Sequence, residues 1–198
     1  MTIGLILECG PQGADKFVCE YLAAELRPNV KVVSRTMDDK PNLLSNAAKA
    51  AALLLADGCE RVLIIWDLRP AWPDKANKPC RAAERQTLLN SLSRAGLTGR
   101  PVYLICVEQE LESWLLADET KLAGFLSTPT HAHSVARVRK PDRVGNPKSV
   151  VMNHFKEARG WRYEDRVHAI KVVRHGAPNW ARLRQSDSFA RFEAKLTC

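Results

Sequence analysis

Glu8, Asp67 and Glu112 are the residues of this chain whose types and spacing say most about chemistry. Glu8 and Asp67 each close an apolar run, Ile3-Gly4-Leu5-Ile6-Leu7 and Val62-Leu63-Ile64-Ile65-Trp66. Glu112 lies just past the end of a third, Val102-Tyr103-Leu104-Ile105-Cys106-Val107. Near-continuous apolar runs of this length suit strands buried on both faces, the condition of a parallel sheet. Sites in such sheets form outside the carboxyl ends of the strands. Carboxylates gathered there offer the hard oxygen donors that Mg²⁺ or Mn²⁺ selects. The spacing therefore predicts a divalent-metal site at the sheet edge, with Glu8 as a ligand or general base.

Each acid also has a plainer explanation. An acid near a helix start is stabilised by the helix dipole, which covers Glu8 and equally the group Glu108, Glu110 and Glu112. Asp67 is harder to dismiss, because Asp is poor in strands and an apolar run stands directly before it. Arg69, two residues on, falls on the same side if the strand continues. It either pairs with Asp67 and cancels it as a ligand, or holds a phosphate oxygen.

The elements that must position these acids alternate along the first two thirds of the chain. A strand over 2–9 runs into the breaker turn Gly10-Pro11-Gln12-Gly13, and a helix carrying Phe17, Tyr21, Leu22 and Leu26 ends before Pro28. A strand at 30–33 leads to an alanine-rich amphipathic helix over 42–57, stopped at Gly58. The strand ending at Asp67 is followed by a Pro-rich excursion over 68–80. A helix over 82–95 buries Leu88, Leu89 and Leu92, a strand spans 102–107, and a helix over 109–125 turns Leu111, Trp114, Leu115 and Leu122 inward. This β-α-β-α-β-α-β-α order predicts an α/β core over residues 1–126, with helices flanking a parallel sheet. The pattern breaks after Ser127. Residues 131–146 read as a basic loop or flap, and helical segments return at 148–159, 164–174 and 187–196. The expectation is a basic, mainly helical extension over 127–198, packed on the core.

Charge divides along the same line. Residues 1–119 carry 14 Lys+Arg against 16 Asp+Glu, and residues 120–198 carry 16 against 6. A basic surface beside a metal-binding cleft is the layout expected for a polyanion such as nucleic acid. Arg137, Arg139, Lys140, Arg143 and Lys148 are the candidate phosphate binders, with Lys148 placed to offset charge in a transition state. Trp161 and Tyr163, beside Arg159 and Arg162, either stack on bases or anchor a small core. The six cysteines form no C-x-x-C pair, which argues against a zinc ribbon or disulfide framework and fits a reducing cytoplasm. No apolar stretch approaches the ~20 residues of a membrane-spanning helix, and no export signal is visible at the N-terminus. His131-Ala132-His133 lacks partner ligands at zinc spacing, no phosphate-binding G-x-x-x-x-G-K-[S/T] occurs, and Gly10-Pro11-Gln12-Gly13 is not the dinucleotide fingerprint.

The strand-Glu8-turn-helix opening, the Asp67-x-x-Pro70 block and the Leu111-Glu112-x-Trp114-Leu115-Leu116-x-Asp118 block resemble a TOPRIM-related family of unknown function. That family is akin to the nuclease domains of OLD-type proteins and to RloB-like proteins. Pro147-Lys148 and the run Tyr163…Ser188-Phe189…Phe192…Leu196 are similar to its tail, so the resemblance covers nearly the whole chain. It implies a metal-dependent nuclease in which Glu8 is the first acid, Asp67 the first Asp of an Asp-x-Asp pair and Glu112 the later acid. It also implies Mg²⁺ or Mn²⁺ as cofactor, and a frequent ATPase partner in phage-defence or mobile-element settings. The chain departs from the pattern at Arg69, where the second Asp would stand, and at Cys9, where the wider group usually has Gly. That substitution leaves a second reading, a degenerate TOPRIM fold serving as a binding subunit. A small-molecule phosphoryl-transfer enzyme is a third, and it explains the basic tail poorly.

Overall fold

In the computed structural model, which describes residues 1–69 and 79–197, the strands are β1 (Thr2–Leu7), β2 (Lys31–Thr36), β3 (Arg61–Asp67) and β4 (Val102–Val107). All are parallel, in the order β2-β1-β3-β4. This is the expected α/β fold, and it is consistent with a TOPRIM-like arrangement. Pro70, most of the Pro-rich excursion and Cys198 lie outside the described residues.

Strand periodicity explains why both faces are apolar. Side chains alternate between the faces of a strand, so Ile3, Leu5, Leu7, Leu63, Ile65, Ile105 and Val107 meet one layer of helices. Ile6, Val62, Ile64, Trp66 and Cys106 meet the other. The second layer is built from α2 (Lys40–Ala56) and α3 (Arg81–Arg94). Helix α2 begins where the Asp39 carboxylate accepts the Asn42 N–H at 2.8 Å, with Pro41 in the first turn. Its small residues allow close approach: a Cβ on Gly4 of β1 would stand 2.9 Å from Leu54 Cδ1.

The first layer holds α1 (Ala14–Leu26), α4 (Glu112–Ala117), α5 (Glu119–Leu126), α6 (Pro147–Arg159), α7 (Asp165–Val173), α8 (Trp180–Leu183) and α9 (Asp187–Thr197). Residues beyond 126 thus share one apolar cluster with β1, β3 and β4, through Val151, Phe155, Phe189, Phe192 and Leu196. Helix α6 starts at Asn146, which accepts the Ser149 N–H at 3.0 Å, and stops at Gly160 in the left-handed region at φ +64°.

Several sequence expectations shift in the structure. The helix expected over 109–125 is two helices, broken at Asp118, whose carboxylate accepts the Asn179 N–H at 2.9 Å. Leu89 is exposed, and the buried stripe of α3 is instead Glu84, Leu88 and Leu92. In α1 the inward face is Val18, Cys19, Leu22 and Ala23, with Phe17 and Tyr21 only half-buried. The strand expected to reach Cys9 ends at Leu7, and the one expected at 30–33 runs on to Thr36. The turn at Pro141–Arg143 and helix α8 have no counterpart in the sequence reading.

Candidate functional site

The carboxyl ends of all four strands open on one cleft of about 280 Å³. Glu8 and Cys9 follow β1, Asp38 and Asp39 follow β2, Asp67 ends β3, and Glu110 and Glu112 follow β4. The first turns of α1, α6 and α7 add Asp15, Lys148 and Asp165. Eight of the eleven described lining residues are acids, and Lys148 is the basic one.

Local rules place the first three acids. Leu63, Ile65 and Asp67 share one face of β3, so Asp67 turns toward the layer that contains α1 and α4. Its N–H donates to Glu8 Oε2 at 3.2 Å, and its Oδ2 accepts the Leu111 N–H at 3.3 Å. The turn after Glu8 requires glycine at position 13, where a Cβ would stand 2.4 Å from Cys9 Cβ. That turn delivers Asp15 to the cleft. Glu112 opens α4 and is buried. Its Oε1 accepts the Tyr163 hydroxyl at 3.2 Å and lies 3.9 Å from Lys148 Nζ. Lys148 Nζ in turn sits 2.5 Å from Asp165 Oδ2. Asp38, at φ +65°, adopts the left-handed conformation that Asp tolerates better than most residues.

Crowding and burial shift these groups together. Burial pushes Glu8 up to about 7, against the pull of the Lys40 charge and the Asp67 N–H. Glu112 also rises to about 7 through burial, with Lys148 opposing. Asp15 rises to about 6 through burial and then the nearby Asp165 charge. Asp67 is held well above the usual carboxylate range by burial and by Asp15, Glu8 and Glu112. Burial draws Lys148 down, but the Asp165 hydrogen bond and the Glu112 charge leave it above its ordinary value. Asp165 ends below its ordinary value, burial being outweighed by Lys148.

A buried polar cluster on the other sheet face steadies this edge. Trp66 Nε1 donates to Glu84 Oε2 at 2.9 Å, Lys40 Nζ lies 3.8 Å from that oxygen, and it donates to the Leu68 carbonyl at 2.9 Å. The residues on either side of Asp67 are thereby fastened.

The structure thus brings Glu8, Asp67, Glu112 and Lys148 together. Arg69 is exposed and does not line the cleft, and no ion pair joins it to Asp67 among the described residues. Arg137, Arg139, Lys140 and Arg143 are exposed outside the cleft lining, on a loop whose Val135, Val138 and Val144 pack inward. Tyr163 is buried and contacts Glu112, while Trp161 is exposed with the Arg159 guanidinium 4.9 Å from its ring centre. Sequence reasoning missed Asp15 and Asp165. Asp15 carried a faint signal as an acid just after the first turn, whereas Asp165 carried none. It also missed the partners of His133: a donor atom from His133, His154 and Glu157 all lie within 4.8 Å of one another.

A parallel α/β sheet with an acid-lined cleft at its carboxyl edge is the class that fold and site define. The chain belongs to the family described as Domain of unknown function (DUF4276), whose pattern matches residues 12–197. Asp67, Glu112 and Lys148 fall within that stretch, and Glu8 lies just before it. No curated protein and no solved structure matches the chain. No helix among the described residues is long and apolar enough to cross a membrane, and the described cysteines are free thiols.

Proposed function

We propose that the protein is a Mg²⁺- or Mn²⁺-dependent endonuclease related to the TOPRIM nucleases, hydrolysing phosphodiester bonds in nucleic acid. The observation that carries this reading is the concentration of eight acids and one lysine in a single cleft of a chain whose net charge is +8. Like charges crowded in a half-buried place disfavour ionisation, and a bound cation relieves that cost. The donors are carboxylate oxygens, which fit a hard divalent ion. Glu8, Asp67 and Glu112 would hold it, with Asp15 beside them. These acids share the cleft, yet among the described residues the group whose donors all lie within 4.8 Å is a different one. Mg²⁺ takes one or two carboxylates directly and keeps several waters, through which the others would hold it. The ion would supply a counter-charge for the phosphate under attack.

The chain's own residues divide the remaining work. Without an ion, burial holds Glu8 and Glu112 at about 7, and a bound cation would draw both toward the ionised form. Glu112 is restrained by Tyr163 and Lys148, so Glu8, where it does not ligate the ion, is the freer carboxylate to take a proton from water. Lys148, kept cationic by Asp165, lines the cleft and would offset the charge of a phosphate bound there. The exposed Arg137, Arg139, Lys140 and Arg143 attract the backbone of the substrate in a salt-sensitive, sequence-blind way. In the setting the resemblance implies, the enzyme works in the cytoplasm beside an ATPase subunit, in phage defence or on a mobile element.

Incubating the protein with DNA and with a structured RNA such as tRNA, with Mg²⁺, Mn²⁺ or chelator, tests the reading. Cleavage of either substrate that chelation abolishes is the expected result, and cleavage untouched by chelation would sink the mechanism. A second reading, a binding subunit without catalysis, is favoured by Arg69 standing where the second acid of the pair belongs. Asp15 weakens that argument, because the cleft gains from α1 a carboxylate that β3 does not supply. Tight nucleic-acid binding with no cleavage, and no thermal shift on adding Mg²⁺ or Mn²⁺, would establish the second reading over the first.

A further inference from the structure

His133, His154 and Glu157 form a group of ligand-type side chains that the carboxylate cleft does not use. His154 and Glu157 stand three residues apart on α6 and so share a face of it. His133 arrives from the loop between α5 and α6, with its backbone N–H donated to Ser127 Oγ at 2.9 Å. The two rings are nearly perpendicular, at 78°, and His133 Nε2 lies 3.1 Å from His154 Nδ1. One donor atom from each histidine and from Glu157 all lie within 4.8 Å of one another. Both histidines are half-buried and Glu157 is exposed, so an ion can enter from solvent.

A hydrogen bond between two neutral imidazoles would account for the His133–His154 contact. It would not account for a carboxylate completing the group. Two imidazole nitrogens bound to one tetrahedral Zn²⁺, each at 2.0–2.1 Å, stand about 3.3 Å apart, close to the spacing already present. We propose that His133, His154 and Glu157 form a binding site for Zn²⁺ or a similar late transition metal, with a fourth position left to water. Imidazole donors select this class of ion, whereas the carboxylates of the cleft select Mg²⁺ or Mn²⁺. The two sites are chemically separate, and this one stands whether or not the chain is a nuclease.

The placement of the ligands defines what the ion does. One comes from the loop that carries Arg137, Arg139, Lys140 and Arg143, and two come from the helix whose first turn carries Lys148. A shared ion cross-links that loop to α6, which fixes the basic surface relative to the cleft. Metal binding of this kind stabilises the state in which the ligands are already together.

Equilibrium dialysis against Zn²⁺ in saturating Mg²⁺ tests the site, with Cys80→Ser as the parent because Cys80 is an exposed thiol. The parent should bind one Zn²⁺ per chain. His133→Ala and His154→Ala should each weaken binding by about a hundredfold or more, since losing even an outer-shell partner costs 10- to 100-fold. Glu157→Gln should weaken it less, and Glu8→Gln should leave it intact. Zn²⁺ should also slow proteolysis within residues 128–146 in the parent but not in His133→Ala. Because His154 is a half-buried residue of α6, circular dichroism must show each zinc-free variant folded, and His133→Ala on the loop provides the independent arm. A folded parent that binds no Zn²⁺, or a folded His133→Ala that binds it as tightly as the parent, overturns the proposal.

Discussion

Asp142 and Asp67 both lie within the packed body of the molecule, and the fold treats them in opposite ways. Asp142 accepts hydrogen bonds from the Ser186 hydroxyl at 2.8 Å, the Ser188 N–H at 2.8 Å and hydroxyl at 2.9 Å, and more distantly Ser113. Ser188 Oγ also accepts the Trp114 indole N–H at 2.8 Å, so this carboxylate ties the start of α9 to α4. Asp67 accepts one hydrogen bond, from Leu111, and faces Asp15, Glu8 and Glu112. A buried acid surrounded by donors is a fastening, because its charge is satisfied where it stands. A half-buried acid surrounded by other acids is under strain that only protonation or a cation relieves.

The comparison yields its largest expected effect at Asp67. Asp67→Asn should lower metal-dependent cleavage by at least about 10²-fold, the scale of losing one pre-organised electrostatic group. Its melting temperature should stay level or rise, since a repelling charge is removed; a clear fall would make Asp67 structural after all.

Asp142→Ala should behave in reverse. It strands several buried donors, and chemical denaturation should record a loss of roughly 2–4 kcal/mol. A variant as stable as the parent would erase the distinction drawn between the two acids.

A smaller effect concerns pH. Glu8 and Glu112 titrate at about 7 in the folded chain, above their ordinary 4.5. The folded state therefore binds protons more tightly across that window, and stability, complete below about 4.5, falls as pH rises through about 7. Denaturant midpoints without divalent ions should drift down over this range. Mg²⁺ should flatten the drift, and Glu8→Gln should remove about half of it. A pH-independent midpoint would mean the acids do not interact as described.

The smallest expected effect lies on the basic surface. Arg139→Ala should weaken nucleic-acid binding a few-fold, equally across sequences, and reduce the salt slope by about 1. Sequence-dependent weakening would point to base contacts instead.

Much of this arrangement is legible in the residue order. The apolar runs ending at Leu7, Trp66 and Val107 announce a parallel sheet, and acids next to those ends must emerge on one edge. The helices expected from 42 and 148 begin within two residues of those positions, at Lys40 and Pro147. Less legible were the faces of the helices. Glu84 displaces Leu89 from the buried stripe because the Trp66 indole needs an acceptor, a demand set by a strand 18 positions away. Trp114, expected to turn inward, does serve the core, donating to Ser188 and packing on Phe189 at 5.4 Å.

Sequence alone determined the α/β order, the three acids at the strand ends and the division of charge between the two parts of the chain. Those features follow from periodicity and composition, which act over a few neighbouring residues. Only the tertiary structure decided that Asp15 completes the acid cluster, that Asp165 holds Lys148, and that His133 meets His154 and Glu157. No local pattern relates those positions. Asp15, Lys148 and Asp165 meet because α1, α6 and α7 bury their apolar faces in one cluster on the same side of the sheet, which carries their polar first turns to one edge.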